Sequence, residues 1–260
     1  MNETAIGWGG LAASLVLIAV AVALSGWQRL HLSRSIVWAC TRAAAQLFVV
    51  GFALKLVLDP DAPVAWAYVW VVVMVAVAGI TIRNRAREVP GIWALGTLAM
   101  ATVVVVSLAV ILGLGMFPAE GRTIVPLAGM MVGNSMTASV LVGRRIVGEL
   151  GDKRDEVEAR LALGHSWPDA SRPYVRSALR TALVPQIEST KAVGLVFLPG
   201  AMTGLVLAGA DAADAVTIQL AIMYLILGSV ATSITVIGLG LTRRLFTDDH
   251  RLRRVVRSTG

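Results

Sequence analysis

The sequence predicts an all-α, polytopic membrane protein with seven transmembrane helices, an N-terminus outside and a C-terminus in the cytoplasm. Of its 260 residues, 57% are hydrophobic and only 15% are charged, whereas a soluble domain carries about 25% charged residues. Seven apolar runs are long enough to cross a bilayer. The basic residues are concentrated in every second segment that connects them. The composition also excludes a disordered chain, which needs low hydrophobicity and high charge.

The seven runs follow one another with short polar connections. A transmembrane helix needs about 20 mostly apolar residues, and the runs cover residues 5–24, 36–58, 64–82, 91–114, 124–146, 186–208 and 215–241. The first run follows Met-Asn-Glu without a basic segment or a cleavage site, so we interpret it as a retained span rather than a signal peptide. Residues 1–260 are therefore predicted to form a single transmembrane domain.

The basic residues predict the orientation. Of the 23 Lys and Arg residues, two follow the first span, three the third, eight the fifth and six the seventh, whereas only Lys55 and Arg122 lie in the other connections. Lys and Arg accumulate on the cytoplasmic side of membrane proteins. The net charge of +7 is thus attributed mainly to topology in a cytoplasmic (inner) membrane, with attraction to anionic lipid as a secondary effect and no nucleic-acid binding.

Several catalytic motifs are absent from the sequence. None of the three lysines follows a glycine, so the chain lacks the Gly-Lys-Ser/Thr of a P-loop. Its one cysteine, Cys40, excludes a disulfide framework and a Cys-based zinc site. Neither His-Glu-x-x-His nor Gly-x-Ser-x-Gly occurs. The chain is therefore predicted not to be an enzyme and to bind no cofactor itself.

Residues 144–185 form the longest polar segment, and residues 147–185 within it predict a hairpin of two short helices outside the bilayer. Gly164 is placed to end the first helix, Ser166 to cap the second, and Pro185 to end the second at the membrane. The hairpin has two interpretations: an amphipathic element lying on the headgroups, or a coupling element that docks on a cytoplasmic partner. The residues assigned to coupling are Glu158, Leu161, Leu163 and Gly164.

Three ionisable residues lie within the spans, where charges are costly and face protein or water. They are Arg42 in the second span and Glu188 and Lys191 in the sixth, all expected within two turns of the cytoplasmic surface. They could snorkel to the headgroups, or an Arg42–Glu188 pair could form a structural clasp or a cytoplasmic gate.

Spans 5 and 6 carry the polar and thioether groups of a candidate translocation path. Each has a GxxxG pair (Gly129 with Gly133, Gly200 with Gly204), which permits close helix approach, and Pro199 favours a broken helix. Asn134 and Pro199 are expected near the midplane, where they can be neighbours. The residues assigned to the path are Met130, Asn134, Ser135, Met136, Pro199, Met202, Thr203 and Gln219; the identity of any bound metal stays unknown.

Three segments together resemble the FetB family of iron-export ABC transporter permeases, which are related to the membrane subunits of plant aluminium-tolerance ABC transporters. They are Pro126-Leu-x-Gly-Met-x-x-Gly-Asn-Ser-Met136, Leu161-Ala-Leu-Gly164 and Gly194-Leu-Val-x-Leu-Pro-Gly-x-Met-Thr-Gly204. The resemblance implies export of an iron species by two permeases and two separate P-loop ATPase subunits, which bind the ATP. Ala201 and Leu205 depart from the family, which has methionine and glutamine there, so the substrate is left open.

Two other functional classes compete with this interpretation. A stand-alone secondary transporter of a small cation or organic solute would need inverted repeats and a coupling carboxylate near the midplane. The sequence contains no clear repeat, and Glu188 is its only acidic residue within a span. A membrane-embedded enzyme is disfavoured by the missing motifs.

Overall fold

Helices make up nearly all of the chain that the computed structural model describes, namely residues 8–57, 62–247, 249 and 251–253. The chain divides into two compact units, Met1–Ala62 and Pro63–Gly260. The first contains α1 (Trp8–Trp27) and α2 (Ser33–Val57), which pack against each other. Arg29 and His31 adopt positive φ angles of 53° and 55° in the tight turn between them.

The second unit contains the remaining seven helices within the described residues. They are α3 (Ala65–Arg85), α4 (Ile92–Gly113), α5 (Gly121–Asp152), α6 (Arg154–Ala162), α7 (Trp167–Ala192), α8 (Gly200–Leu207) and α9 (Ala212–Leu245). Helix α5 lies at the centre and packs against α3, α4, α7 and α9. Its buried side chains, including Met131, Val142 and Ile146, are fully covered by these neighbours.

Glycines bring the helices of this bundle into close contact. A Cβ added at Gly79 of α3 would overlap Thr97 Oγ1 of α4, and one at Gly96 of α4 would lie 2.9 Å from Ile82 Cγ2 of α3. By contrast, a Cβ at Gly133, Gly200 or Gly204 would meet no atom within 4 Å, and one at Gly129 would meet only Met74 of α3. Of the two GxxxG pairs, only Gly129 makes a close approach, and other close approaches join α3 to α4 and α9 to α4 and α7.

Arginines mark one end of the bundle, which we call the basic end and define by Arg85, Arg144 and Arg244. Arg144 donates to the carbonyl oxygen of Arg85 and pairs with Glu88 at 2.6 Å. Arg244 donates to the carbonyl oxygen of Gly91 at 3.1 Å. These contacts tie the end of α3 to α5 and the start of α4 to the end of α9.

Within the described ranges, five helices are long and apolar enough to cross a membrane: α2, α3, α4, α5 and α9. Within α1, residues 12–27 form a shorter apolar helix. A polytopic, all-helical membrane protein is therefore confirmed, while the count of seven spans and the orientation stay predictions.

The sixth apolar run is where the structure departs from the sequence prediction. Helix α7 continues through Pro185 to Ala192, so the expectation that Pro185 ends it is wrong. Packing against α5 and α9 holds this helix together despite the amide that proline lacks. The break falls instead between Ala192 and Gly200, where Gly194 adopts a φ of 86° and its amide donates to the carbonyl oxygen of Phe197.

Replacing Gly79 by alanine is expected to destabilise the bundle. The new Cβ would also lie 3.3 Å from the backbone Cα of Thr97, so a rotamer change cannot relieve the overlap, and overpacking of this kind costs about 1–3 kcal/mol. Gly148→Ala is the matched control, because no atom lies within 4 Å of the added Cβ. Thermal unfolding in detergent measures both variants. An unfolding midpoint for Gly79→Ala at or above that of Gly148→Ala would contradict the role given to this contact.

Candidate translocation site and coupling hairpin

Asn134 lies about halfway along the part of α5 that crosses the bundle. Ten residues separate it from Arg144 at the basic end, which corresponds to about 15 Å of helix and thus to half of a hydrocarbon core about 30 Å thick. Its side-chain amide donates to the carbonyl oxygen of Met130 at 2.8 Å. No described residue donates a hydrogen bond to the carbonyl oxygen of this amide, so that oxygen is available for another group.

A cavity of 240 Å³ adjoins this asparagine. Asn134 and Thr137 of α5, Pro185 and Gln186 of α7, and Val230 of α9 are among the residues that line it. The partner that faces Asn134 is therefore α7 near Gln186, whereas the sequence suggested Pro199. The cavity also shows that Gln186 lies level with the middle of α5 and α9.

Buried serines of α5 face the core beside this cavity. Ser135 and Ser139 are fully buried, and their hydroxyl oxygens have no hydrogen-bond partner within the part of the chain that the structure describes. Ser107 of α4 and Ser229 of α9 are also buried but bond to each other at 2.8 Å. Ser135, assigned to the path from the sequence, thus lies in the core, whereas its neighbour Asn134 lines the cavity.

Four other residues assigned to the path lie at or beside α8, namely Pro199, Met202, Thr203 and Gln219. The backbone amide of Met202 donates to Gln219 Oε1 of α9 at 3.2 Å, and Gln219 is 4% exposed. Pro199 directly precedes α8. The Thr203 hydroxyl donates to the carbonyl oxygen of Pro199 at 3.2 Å. A buried side-chain amide needs hydrogen-bond partners, and the break before α8 exposes a backbone amide that supplies one to Gln219.

Neither group contains a recognisable metal site. Among the described residues, no three His, Cys, Asp or Glu side chains lie close enough to hold an ion. Met130, Met136 and Met202 are all half-buried, so their thioethers are available to neighbours without forming a defined ligand set.

Glu188 and Lys191 form an ion pair near the end of α7. Lys191 Nζ is 2.9 Å from Glu188 Oε1, and both follow Gln186, so they lie past the level of Asn134 as seen from the basic end. The sequence placed them within two turns of the cytoplasmic surface, and that position relative to the membrane stays a prediction. Arg42 belongs to the other compact unit, and its pairing with Glu188 in a gate or clasp stays a prediction.

The helical hairpin predicted between residues 147 and 185 is present as α6 and the first turns of α7. Gly164 adopts a φ of 88° at the turn, which glycine tolerates and other residues rarely do. Ser166 occupies the N-cap position of α7, and its hydroxyl donates to Asp169 at 2.6 Å. Leu163 is 81% exposed at the tip, whereas Leu161 is half-buried.

Polar contacts hold the two helices of the hairpin together. Glu156 of α6 accepts hydrogen bonds from Lys153 at 2.7 Å and from the Tyr174 hydroxyl of α7 at 2.9 Å. The bond from Lys153 and then that from Tyr174 lower the pKa of Glu156 below its usual range. Arg154 pairs with Glu158 at 2.6 Å. Glu158, which the sequence assigned to coupling, thus makes an ion pair within α6.

The segment that follows α9 anchors the hairpin, and the sequence did not predict this. Arg154 donates to the carbonyl oxygen of Leu252 at 3.0 Å, and the rings of Trp167 and Phe246 stack with centroids 5.7 Å apart. Phe246 and Leu252, both buried, are bridged to each other. The Arg154–Leu252 bond and the Trp167–Phe246 stacking join residues about 80 to 100 positions apart, so no local sequence pattern could reveal them.

Known proteins resemble this chain over nearly its whole length. The model of the uncharacterised protein family UPF0014 matches residues 8–246. The "UPF0014 membrane protein STAR2" of Oryza sativa subsp. japonica is 38% identical over 221 residues, which cover 85% of this chain and 77% of that protein. No solved structure matches.

Two further relatives carry names that refer to metals. The "Probable iron export permease protein FetB" of Escherichia coli (strain K12) is 31% identical over 257 residues, covering 97% of each chain. The "Protein ALUMINUM SENSITIVE 3" of Arabidopsis thaliana is 35% identical over 223 residues, covering 85% of this chain and 81% of that protein. With a family model that spans most of the sequence and relatives aligned over most of both chains, this protein belongs to the UPF0014 family of membrane proteins.

Proposed function

We propose that this chain is the permease subunit of an ABC transporter that exports iron or a related metal species with ATP hydrolysed by a separate subunit. The observation that carries the proposal is the α6–α7 hairpin, a rigid element that projects an exposed leucine at the basic end of a membrane bundle. The relative named as an iron export permease supports the same function. Two copies of this chain and two ATPase subunits would form the transporter in the inner membrane.

The hairpin suits a coupling role better than a headgroup-lying one. A helix lying on a membrane buries its apolar face in lipid, whereas Val157 and Tyr174 of this hairpin are buried against its own protein. What remains for a partner is Leu163 at the tip and the half-buried Leu161 behind it. Such exposed apolar residues on a rigid support are suited to entering a groove of the ATPase.

The cavity beside Asn134 and the group around α8 form the proposed path. Methionine sulfur suits a soft or low-valent metal better than a hard, oxygen-preferring ion. Asn134 is exposed on α5, and no described residue hydrogen-bonds to its amide oxygen, so this oxygen is placed to face a hydrated cavity or a cargo.

A stand-alone secondary transporter is the alternative, and one observation favours it. Glu188 lies on α7 just past the level of the midplane cavity. A secondary transporter needs a carboxylate near the midplane to couple transport to an ion gradient. Its ion pair with Lys191 counts against free proton uptake. Transport by this chain alone in proteoliposomes, driven by an ion gradient without ATP, would establish the alternative.

The proposed orientation places the basic end in the cytoplasm. Single cysteines in a Cys40→Ala background test it. Positions 85 and 153 should be labelled by impermeant reagents from the cytoplasmic side only, and positions 120 and 211 from outside only, because Lys and Arg mark the cytoplasmic side. The reverse pattern would overturn the topology.

Replacing Leu161 and Leu163 together by aspartate is expected to release the ATPase subunit. Two charges at the tip would have to be desolvated in the partner's groove, which should weaken co-purification by tenfold or more. Leu114→Asp is the matched control, because Leu114 is also exposed but lies in the turn after α4, at the opposite end of the bundle. Unchanged co-purification and ATPase stimulation in the double variant would favour a hairpin that lies on lipid.

Replacing Asn134 by leucine is expected to lower ATP-driven metal export severalfold while the complex still assembles. The variant removes the only amide of α5 that lines the midplane cavity. Asn84→Leu, an exposed asparagine at the basic end of α3, is the control. Transport assays in proteoliposomes measure both. If Asn134→Leu and Met202→Leu each transport at the wild-type rate, these residues serve packing and the path lies elsewhere.

A further inference from the structure

A row of mostly polar residues along α7 is left uncovered by the described helices of the second unit. Neighbouring members of the row are spaced four residues apart and lie one above the other, and each step turns the row by about 40° around the helix because an α-helix has 3.6 residues per turn. The row consists of Arg172, Arg176, Arg180, Val184 and Glu188. All five are exposed, as is Lys191 beside Glu188. We call this row the α7 stripe.

The two deeper arginines of the stripe are unpaired. Arg172 lies 3.9 Å from Asp169, but Arg176 and Arg180 have no carboxylate partner among the described residues. Both border a groove of 650 Å³ between α7 and α9, whose α9 wall includes Ala231 and Thr235. A second groove of 420 Å³ continues it toward the basic end and shares Arg176.

The stripe extends into the depth of the hydrocarbon core. A Cβ on Gly238 of α9 would lie 3.0 Å from Leu179, so α7 near Arg180 is level with Gly238. Gly238 precedes Arg244 at the basic end by six residues, or about 9 Å of helix. An arginine at that depth is costly against lipid and is found facing water or protein. The Glu188–Lys191 pair lies deeper still, so it also has to face water or protein.

We infer that the α7 stripe lines a water-filled vestibule open at the basic end, and that the cargo enters it as an anion. This inference rests on the proposed permease function and names its substrate class: a metal held by an anionic chelator such as a polycarboxylate. Unpaired guanidinium groups concentrate anions and repel bare divalent cations, as arginine rings do in anion pores. Two copies of the chain facing each other would double this positive charge.

Anionic lipid is the competing occupant, because a phosphate headgroup would also pair with Arg176 and Arg180. The length of the stripe favours water. A headgroup would satisfy its basic-end part, whereas Glu188 and Lys191 lie past the midplane, out of reach of the headgroups on that side.

The experiment compares two methanethiosulfonate reagents of opposite charge, the sulfonatoethyl anion and the trimethylammonium-ethyl cation. Each reacts with Val184→Cys in a Cys40→Ala background, in vesicles whose accessible side is the basic end. Val184 lies on the stripe between Arg180 and Glu188. Val105→Cys is the control. Val105 is 67% exposed on α4. Its depth is comparable, because it lies two residues from Ser107, whose hydrogen-bond partner Ser229 is next to Val230 of the midplane cavity.

The anionic reagent is expected to modify position 184 roughly tenfold faster than the cationic one, and neither reagent should modify position 105. Adding Arg176→Gln and Arg180→Gln should abolish the preference. No reaction at position 184 would place the stripe against lipid and overturn the inference. Equal rates with both reagents would show a vestibule without anion preference and would overturn the substrate class.

This readout needs neither the ATPase subunit nor transport, so it separates the inference from the proposed function. In the assembled complex, the same glutamine pair should raise the concentration of iron(II) citrate, an anionic complex, that half-maximally stimulates ATP hydrolysis. Stimulation by uncomplexed Fe²⁺ in preference to the citrate complex would overturn the anionic cargo even if ATP-driven export is established.

Discussion

Close helix packing without help from water is the constraint on which the bundle depends. Lipid tails are as apolar as the helices, so association inside a bilayer relies on van der Waals contact and small residues. The second unit meets this constraint with glycines at several crossings. Gly79 and Gly96 join α3 to α4, Gly240 brings α9 against Leu95 of α4, and Gly238 brings α9 against Leu179 of α7. The buried Ser107–Ser229 bond adds polar specificity between α4 and α9.

This packing also determines the depth of α7, a helix too polar to qualify as a span by its own composition. Alongside α5 and α9, its buried face consists of small residues such as Ala170, Ala178 and Ala182, which allow close contact. Its opposite face can then carry charge. A helix with one packed face and one polar face is suited to forming the wall of a path rather than a lipid-facing span.

Helix α7 connects the two proposed functional regions mechanically. It runs without interruption from Trp167 at the hairpin to Gln186 at the midplane cavity, 19 residues or about 28 Å. The stacking of Trp167 on Phe246 and the Arg154–Leu252 bond fix its hairpin end. The chain breaks only after Ala192, near the ion pair of Glu188 with Lys191. In the proposed transporter, a displacement of the hairpin by the ATPase would therefore reach the cavity wall through one rigid element.

The sequence by itself determined the all-helical membrane class, most of the helix boundaries and the glycine turn at Gly164, because hydropathy and turn chemistry are local properties. The fold alone decided the level of Glu188 and Lys191 relative to Asn134, the pairing of Asn134 with the cavity at Gln186, and the anchoring of α6 by Leu252. The hydropathy pattern predicted that the sixth span begins at Gln186. Arg172, Arg176 and Arg180 make the preceding residues too polar to be recognised as part of a span. Whether a polar helix lies in water or within a bundle depends on what packs against its other face, and that is set by contacts between residues far apart in the chain.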